Sequence, residues 1–581
     1  MRVVLILFLK NLVIRRMDNI RFTLFLAFSV IILMLYQAWD LDYGPQPILT
    51  EQTASGQPVA ADMPNATTAT NANNALNNSQ DVPLQSSYAE QLIIVETDVM
   101  RLEIDSKGGT LRNLDLLKYP KEKENTYFNA ARKLIGLDKE KKDLQPIRLF
   151  NSEDEKLFLA QSGLIANSGS SKIASHHTIM DVEKNNYHLQ AGQNSLRIPL
   201  TWTNESGIQV TKTYIFSRDS YLIQVEQKIS NYSDQAWSGR QYTQLLRKPY
   251  TEPNANSFIR TYTGGVIYTE EDKYQKVDFD DMEDENLSVD NKGGWSAMIQ
   301  HYFAAAWIPP AENDNHFYSK KLDNYQYVLG SYSSSVNIAP HSEKILSSQL
   351  FVGPKIQPMM EKIATGLELT VDYGWLTFVG KPIYWLLNFI FSFIGNWGLS
   401  IMGVTLCIKL LFFKLSETSY KSMAKMRKIQ PKLQQLKERY ADDRQRFNEE
   451  MMSMYRKEKV NPLGGCLPIM VQIPVFISLY WVLIETVELR QTPFAFWLTD
   501  LSAKDPFFLL PVLMGITMKI QQSLNPAPID PLQAKIMKMF PIVFTVFFLF
   551  FPSGLVLYWV VNNTLSIIQQ WYITKRIEAE D

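Results

Sequence analysis

The stretch NWGLSIMGVTLCIKLLFFKL, residues 396–415, decides the class of this protein. It is apolar and about long enough to cross a bilayer, yet it carries Lys409. A cation near the middle of a membrane helix costs roughly 2.5–3.5 kcal/mol on insertion scales, so it faces protein or water rather than lipid. Thr405 lies one helical turn earlier on the same face. The pair predicts a polar cavity within the membrane, and an intramembrane cation is by default a functional-site candidate.

Four more apolar runs follow, at residues 467–486, 506–522, 536–551 and 554–573. The last two are separated only by Pro552 and Ser553, which predicts a tight hairpin. Just before residue 396, WLTFVGKPIYWLLNFIFSFI (375–394) is interrupted by Gly380, Lys381 and Pro382. It reads as an interfacial amphipathic helix, aromatic on one side, rather than as a span. Near the N-terminus, FTLFLAFSVIILMLYQAW (22–39) is preceded by Arg15, Arg16 and Arg21 and followed by Asp40 and Asp42. Positive charge stays in the cytoplasm, so this segment enters N-terminus first from that side. No small-residue cleavage site follows it, so it reads as an uncleaved anchor. The count is six spans.

Residues 44–90 are rich in Asn, Ala, Thr, Gln and Pro and read as a flexible linker. From 91 to 365 the pattern changes to alternating segments such as 92–96, 99–104, 196–202, 209–216, 221–229 and 325–329, punctuated by turns such as Lys107-Gly108-Gly109. That is the pattern of a β-rich globular domain, read as a sandwich. Its place after an N-in anchor puts it outside the inner membrane. Residues 366–581 then form the helical core, with a basic loop at 416–460. Cations outnumber acids in that loop, so it belongs to the cytoplasm. The orientation argued from the anchor and the one argued from the loop agree.

The loop reads as a helical hairpin. Met423, Met426, Ile429 and Leu433 recur at helical spacing, as do Phe447, Met451, Met454 and Tyr455, with a break near 440–443. Lys425, Arg427, Lys428 and Lys432 are its candidate contact residues. They fit either a solvated helix pair or a docking arm for ribosomal RNA, an anionic lipid headgroup or an emerging acidic segment. Among the spans, Gln472, Asn562 and Asn563 are polar, and Trp559 shares a face with Asn562. Each amide also fits an interhelical hydrogen bond that holds the bundle together. Lys519 is expected to snorkel at the cytoplasmic end, while Glu485 and Glu488 are expected in water at the outer interface.

Composition removes several classes. With 58 Lys and Arg against 59 Asp and Glu, the net charge of −1 gives no pull toward DNA. The two cysteines, Cys407 and Cys466, lie in apolar runs and read as buried structural thiols rather than a disulfide framework. All six histidines lie in the polar half, so the membrane part lacks the commonest general base and metal ligand. An intramembrane enzyme is thereby disfavoured. No Walker-type phosphate loop is present, so ATP is not implied. Neither a metal nor a cofactor is expected.

The motifs VDYGWL (371–376), GNWG (395–398), MAKMRKIQPK (423–432), NPLGGCLP (461–468), VELRQTPFAF (487–496) and FPSGLVLY (551–558) occur in one order that resembles the YidC membrane protein insertases of Gram-negative bacteria. KGGWSAMIQHYFAAAWI (292–308) extends the resemblance into the outer domain. The resemblance implies a five-helix insertase core, an external β-super-sandwich, and a groove open to cytoplasm and lipid but closed outward. It also implies nascent membrane proteins, the Sec translocon, membrane lipids and the ribosome as partners. The family's groove cation corresponds to Lys409, with Thr405, Gln472, Trp559 and Asn562 as lining candidates.

This chain departs from the pattern in places. The family usually has arginine at 409, the enterobacterial pattern has proline at 414 where Lys414 stands, and Trp559 replaces a tyrosine. The tail KRIEAED (575–581) is short and partly acidic, unlike a basic ribosome-binding tail. The family's usual start resembles Met17-Asp18, so residues 1–16 read as an extension and 17–43 as the anchor region. The expectation is thus an inner-membrane insertase and chaperone with its large domain in the periplasm. The alternative is a secondary transporter or channel using the intramembrane lysine.

Overall fold

The structure, a computed structural model, describes residues 62–64, 91–121, 144–167, 173–250, 261–440, 443–458, 467–525 and 531–580. The N-terminal extension, the anchor, most of the linker, the 461–466 part of the NPLGGCLP motif and Cys466 lie outside the described residues.

Alternation of apolar and polar residues builds the outer domain. Along Ile208–Ser217 the side chains of Ile208, Val210, Lys212 and Tyr214 point inward while Gln209, Thr211 and Thr213 between them are only partly covered. This strand pairs antiparallel with Leu222–Asn231, which in turn pairs with Ser342–Pro354, from Leu222 opposite Phe351 to Asn231 opposite Ser342. These belong to a nine-stranded sheet. An eleven-stranded sheet has Trp237–Arg247 near its middle, between Phe158–Ala166 and Gln326–Ser333. Trp295, Trp307, Tyr214, Phe317 and Phe351 are among the fully buried side chains of the domain's core.

Two polar side chains stitch the layers together. The Trp307 indole donates to the Gln244 carbonyl at 3.0 Å, and the Lys212 ammonium donates to the carbonyls of Gly108 and Ser162 at 2.7 and 2.9 Å. Burial pushes the Lys212 pKa down to about 7. The turn that meets it needs its glycines: Gly108 and Gly109 have φ of 68° and 66°, and a Cβ on Gly109 would lie 3.2 Å from the Lys212 chain.

Two short helices, α1 (Phe279–Asp284) and α2 (Gln357–Ile363), belong to this domain and its exit. The helical part follows as α3 (Thr377–Ile394), α4 (Trp397–Leu411), α5 (Phe413–Arg439), α6 (Arg444–Lys457), α7 (Leu467–Glu485), α8 (Leu509–Leu524), α9 (Pro531–Phe548) and α10 (Ser553–Glu580). Each of the five expected apolar runs is helical.

Their details differ from expectation. The helix beginning at Trp397 stops at Leu411, and the chain bends by 67° before α5, so the run does not continue straight to residue 415. The bend falls where the apolar run gives way to the charged hairpin, and it forms with Lys414 in the place of proline. The 375–394 segment is an unbroken helix rather than an interrupted one. Pro382 lies in its second turn, where only the bond back to residue 378 is lost, and Gly380 lets Tyr373 lie against it. With the turn at Gly374–Leu376 it reaches 21 residues, and among the described residues it is the one unbent helix long and apolar enough to cross a membrane. The bent pair α4–α5 gives a second candidate if it counts as one span, and Met470–Glu485 is a shorter apolar helix. The turn at Pro552 is tight, but α9 lies along α8 while α10 packs on α8 and α4.

The outer faces of these helices are apolar. Trp375, Phe378 and Phe393 are 72–78% exposed, Leu411 76% and Ile542 67%, and Val512, Ile516, Val543, Val546 and Trp571 continue the surface. Contiguous exposed apolar area on this scale marks contact with lipid or protein. Cys407 belongs to this exposed surface and is not a buried thiol.

The two parts of the protein are joined at the end of α7. Lys355, just past the last strand, donates to a Glu485 carboxylate oxygen at 3.0 Å and to the Thr370 carbonyl at 3.1 Å. Their side chains are 2% and 5% exposed. Glu488 accepts from the Tyr384 hydroxyl at 2.9 Å. His301 meets the Ile484 carbonyl at 3.0 Å, and Arg490 and Gln491 donate to the Pro120 carbonyl, both at 2.8 Å. Neither Glu485 nor Glu488 is the freely hydrated group expected: the outer domain covers Glu485 and supplies its cation, and α3 supplies the partner of Glu488.

Removing one member of the buried pair leaves the other charge without compensation. Lys355→Ala is expected to destabilise the joint by about 3–5 kcal/mol, and Lys355→Met combined with Glu485→Leu to recover most of that loss. Thermal unfolding of the purified chain in detergent checks both. Burial and the nearby cations Lys355 and Arg490 hold the His301 pKa down to about 3. An unfolded histidine titrates near 6.5, so the unfolded chain binds more protons between these values, and the histidine's contribution to stability is lost as pH falls through that window. His301→Gln should therefore flatten part of the decline in melting temperature between pH 6.5 and 4, and an unchanged pH profile would refute this role.

Candidate functional site

The site begins with a helix start. The Asn396 side chain accepts from the Leu399 amide at 3.0 Å and donates to the Phe494 carbonyl at 3.1 Å, so α4 is both capped and tied to a neighbouring loop. From there α4 carries Thr405 and Lys409 one turn apart. Thr405 is 1% exposed, and its hydroxyl donates to the Ile401 carbonyl of its own helix at 2.7 Å. Lys409 reaches across to α10, where its ammonium donates to the Ser566 hydroxyl at 2.7 Å. Ser566 in turn donates to the Asn562 carbonyl at 2.7 Å. The Asn562 side chain accepts from Gln472 of α7 at 2.5 Å. Lys409, Ser566, Asn562 and Gln472 therefore form one polar seam linking α4, α10 and α7.

A small cavity of about 20 Å³ opens beside the seam, lined by Lys409 and Gln472 with Phe412, Ser416, Val471 and Val475. It has room for about one water. An ammonium has three donors, and among the described residues Lys409 has Ser566 as its hydrogen-bond partner and no carboxylate in an ion pair. The remaining donors are available to water or to a polar group entering from the cavity. Such a seam attracts and orients an anionic or dipolar group.

Three of the five groove candidates, Lys409, Gln472 and Asn562, are thus brought together. Thr405 lies one turn away with its hydroxyl turned back on α4. Trp559 sits among rings, 4.9 Å from Phe476 and 5.8 Å from Phe548 between centroids, and among the described residues its buried indole N–H has no hydrogen-bond partner. Ser566 was not singled out from the sequence. Its spacing of one turn from Asn562 was the available signal. Asn563 faces elsewhere and donates to Thr517 of α8 at 3.4 Å, a bundle-holding bond.

The basic hairpin is held by Ile429, Leu433 and Tyr455 with Met426, Met451 and Met454. Lys425, Arg427 and Lys428 are exposed on α5. Lys432 is exposed as well but is engaged within the hairpin, pairing with Glu458 at 2.7 Å.

Comparison with known proteins identifies the family. The YidC periplasmic domain family matches residues 134–386, and the 60Kd inner membrane protein family matches 389–580. Over 97% of its length the chain is 54% identical to the membrane protein insertase YidC of Methylococcus capsulatus, covering 99% of that protein. It is 47% identical to the YidC insertase of Nitrosococcus oceani over 97% of this chain and 100% of that one. For the Pseudomonas fluorescens insertase the identity is 43%, with 97% and 99% covered. With a large β-sandwich domain followed by a helical part, and with relatives this similar along nearly its whole length, the chain belongs to the YidC family of membrane protein insertases.

Proposed function

We propose that this protein inserts and folds membrane proteins in the bacterial inner membrane, with Lys409 receiving the polar flank of an incoming segment. The observation that carries the reading is the Lys409 ammonium, held in an apolar bundle by a serine hydroxyl and bordered by a cavity. Near the protein's polar seam a polar flank exchanges its water for fixed dipoles and a cation. The apolar part of the same segment then moves sideways into lipid, which is the downhill step. No covalent step and no nucleotide enter this scheme. The cavity holds about one water as it stands, so substrate entry requires α4 and α7 to part near Phe412 and Val475.

In this reading α4, α7, α8, α9 and α10 are the spans of the core, completed by the anchor to six, with α3 lying at the interface. The outer domain lies in the periplasm. The hairpin lies in the cytoplasm, where Lys425, Arg427 and Lys428 are placed to meet a ribosome or anionic headgroups. Cooperation with the Sec translocon belongs to the same reading and rests on the family. An ion or solute transporter is the weaker alternative, because the relatives that match along the whole chain are named insertases.

Charge at 409 is the direct test. Lys409→Arg should keep insertion near wild type. Lys409→Glu should reduce insertion of Sec-independent substrates with an acidic translocated flank by roughly tenfold, since attraction of about 1–4 kcal/mol at contact distance becomes repulsion. Photo-crosslinking from positions 405, 409, 472 and 559 to nascent chains reports occupancy of the same place. Equal insertion by wild type and Lys409→Glu would remove the electrostatic role.

A second test separates the halves. Every proposed groove residue lies beyond residue 400, so a chain lacking about residues 60–340 should retain insertion, provided that Lys355 and Thr370 remain to cover Glu485. Complete loss of insertion by a stably expressed deletion would show that the outer domain takes part in the insertion step itself.

A further inference from the structure

The histidines are absent from the membrane part, yet two of them converge in the outer domain. His176 and His177 are consecutive, and both turn Nε2 toward Asp62. The separations are 2.8 Å from His176 to one carboxylate oxygen and 3.0 Å from His177 to the other. All three donor atoms lie within 4.8 Å of one another, and the two rings are 4.0 Å apart between centroids. Consecutive residues on an extended strand point to opposite faces; here a turn brings both imidazoles to one point.

We propose that Asp62, His176 and His177 form a binding site for a divalent transition metal of the zinc class. Two imidazoles and one carboxylate are a donor set that suits zinc and its neighbours rather than magnesium or calcium. Metal–ligand bonds near 2.1 Å in a tetrahedral site put nitrogen and oxygen donors about 3.4 Å apart, so the two nitrogen–oxygen contacts present here would open by about half an ångström. The surroundings are those of a built site. The His176 side chain is 1% exposed, and its second nitrogen lies 2.5 Å from the Tyr242 hydroxyl, which also accepts the His176 amide at 3.0 Å. This contact fixes the ring, as the outer partners of metal-bound histidines do. His177, 34% exposed, is the entrance.

Asp62 comes from the segment whose composition reads as a linker, but residues 62–64 are anchored: the Met63 carbonyl accepts from Lys320, and Pro64 borders a cavity with Tyr318 and His316. A bound metal would fasten that segment to the sandwich. Three protein ligands leave the fourth position to water.

The test uses the full-length, tag-free chain in detergent micelles, stripped by a chelator and dialysed against buffered zinc chloride, with bound metal measured by mass spectrometry. About one zinc per chain is expected. His177→Ala and Asp62→Ala should each weaken binding by at least tenfold, and Tyr242→Phe by roughly tenfold through the ring it positions. Zinc should raise the melting temperature of the wild type more than that of either ligand variant. His341→Ala, a surface control, should match the wild type. His177 is about a third exposed, so its variant tests the site without threatening the core. Failure of the wild type to hold zinc, or undiminished binding by both His177→Ala and Asp62→Ala, overturns the proposal.

Discussion

A polar group between apolar helices has no water to fall back on, and that constraint organises the helical half of this protein. Several such groups find a partner on another element: Lys409 on Ser566, Gln472 on Asn562, Asn563 on Thr517, Lys355 on Glu485, Tyr384 on Glu488. Burial of apolar area distinguishes poorly between helix pairings when lipid surrounds the bundle, because lipid tails are as apolar as leucine. The polar pairs have directional geometry, so they select which helix lies beside which. The seam on α4, α7 and α10 is therefore a structural fastening that also carries the Lys409 ammonium.

The outer domain enters the same scheme through α7. Glu485 ends that helix against Lys355, and Gln472 lies thirteen residues earlier, about 20 Å along the axis at 1.5 Å per residue. One rigid element thus carries the joint to the β domain at one end and a member of the seam nearer the other. Loops after it, through Arg490 and Gln491, hold the backbone at Pro120. The domain is fixed to the bundle by a buried ion pair and several carbonyl contacts rather than by a flexible linker.

What could be read from the sequence follows the range of the interactions involved. Strand alternation at Ile208–Ser217 and helical spacing at Ile429 and Leu433 are local, and both features were legible. The environment of Glu485 was not, because its partner Lys355 lies 130 residues away, and a glutamate at the end of an apolar run looks hydrated until that partner is placed. The break after Leu411 carries neither glycine nor proline to announce it. At the site, Lys409 was visible as a cation within an apolar run, whereas Ser566 is an ordinary serine until α10 is laid against α4. Thr405 shares the face of Lys409 as helical spacing requires, but its hydroxyl is satisfied by its own helix. Face-sharing alone does not say where a hydroxyl points.

The identity of the cation then has a physical meaning. Arginine presents five donors in a rigid planar fork and reads carboxylates in a fixed geometry, while lysine offers a compact charge on a flexible stem. The seam supplies one hydroxyl to the charge at 409, enough to fasten an ammonium and leave donors over, and too little to satisfy a guanidinium. A flexible point charge with spare donors can meet a carboxylate, a carbonyl or a water equally well.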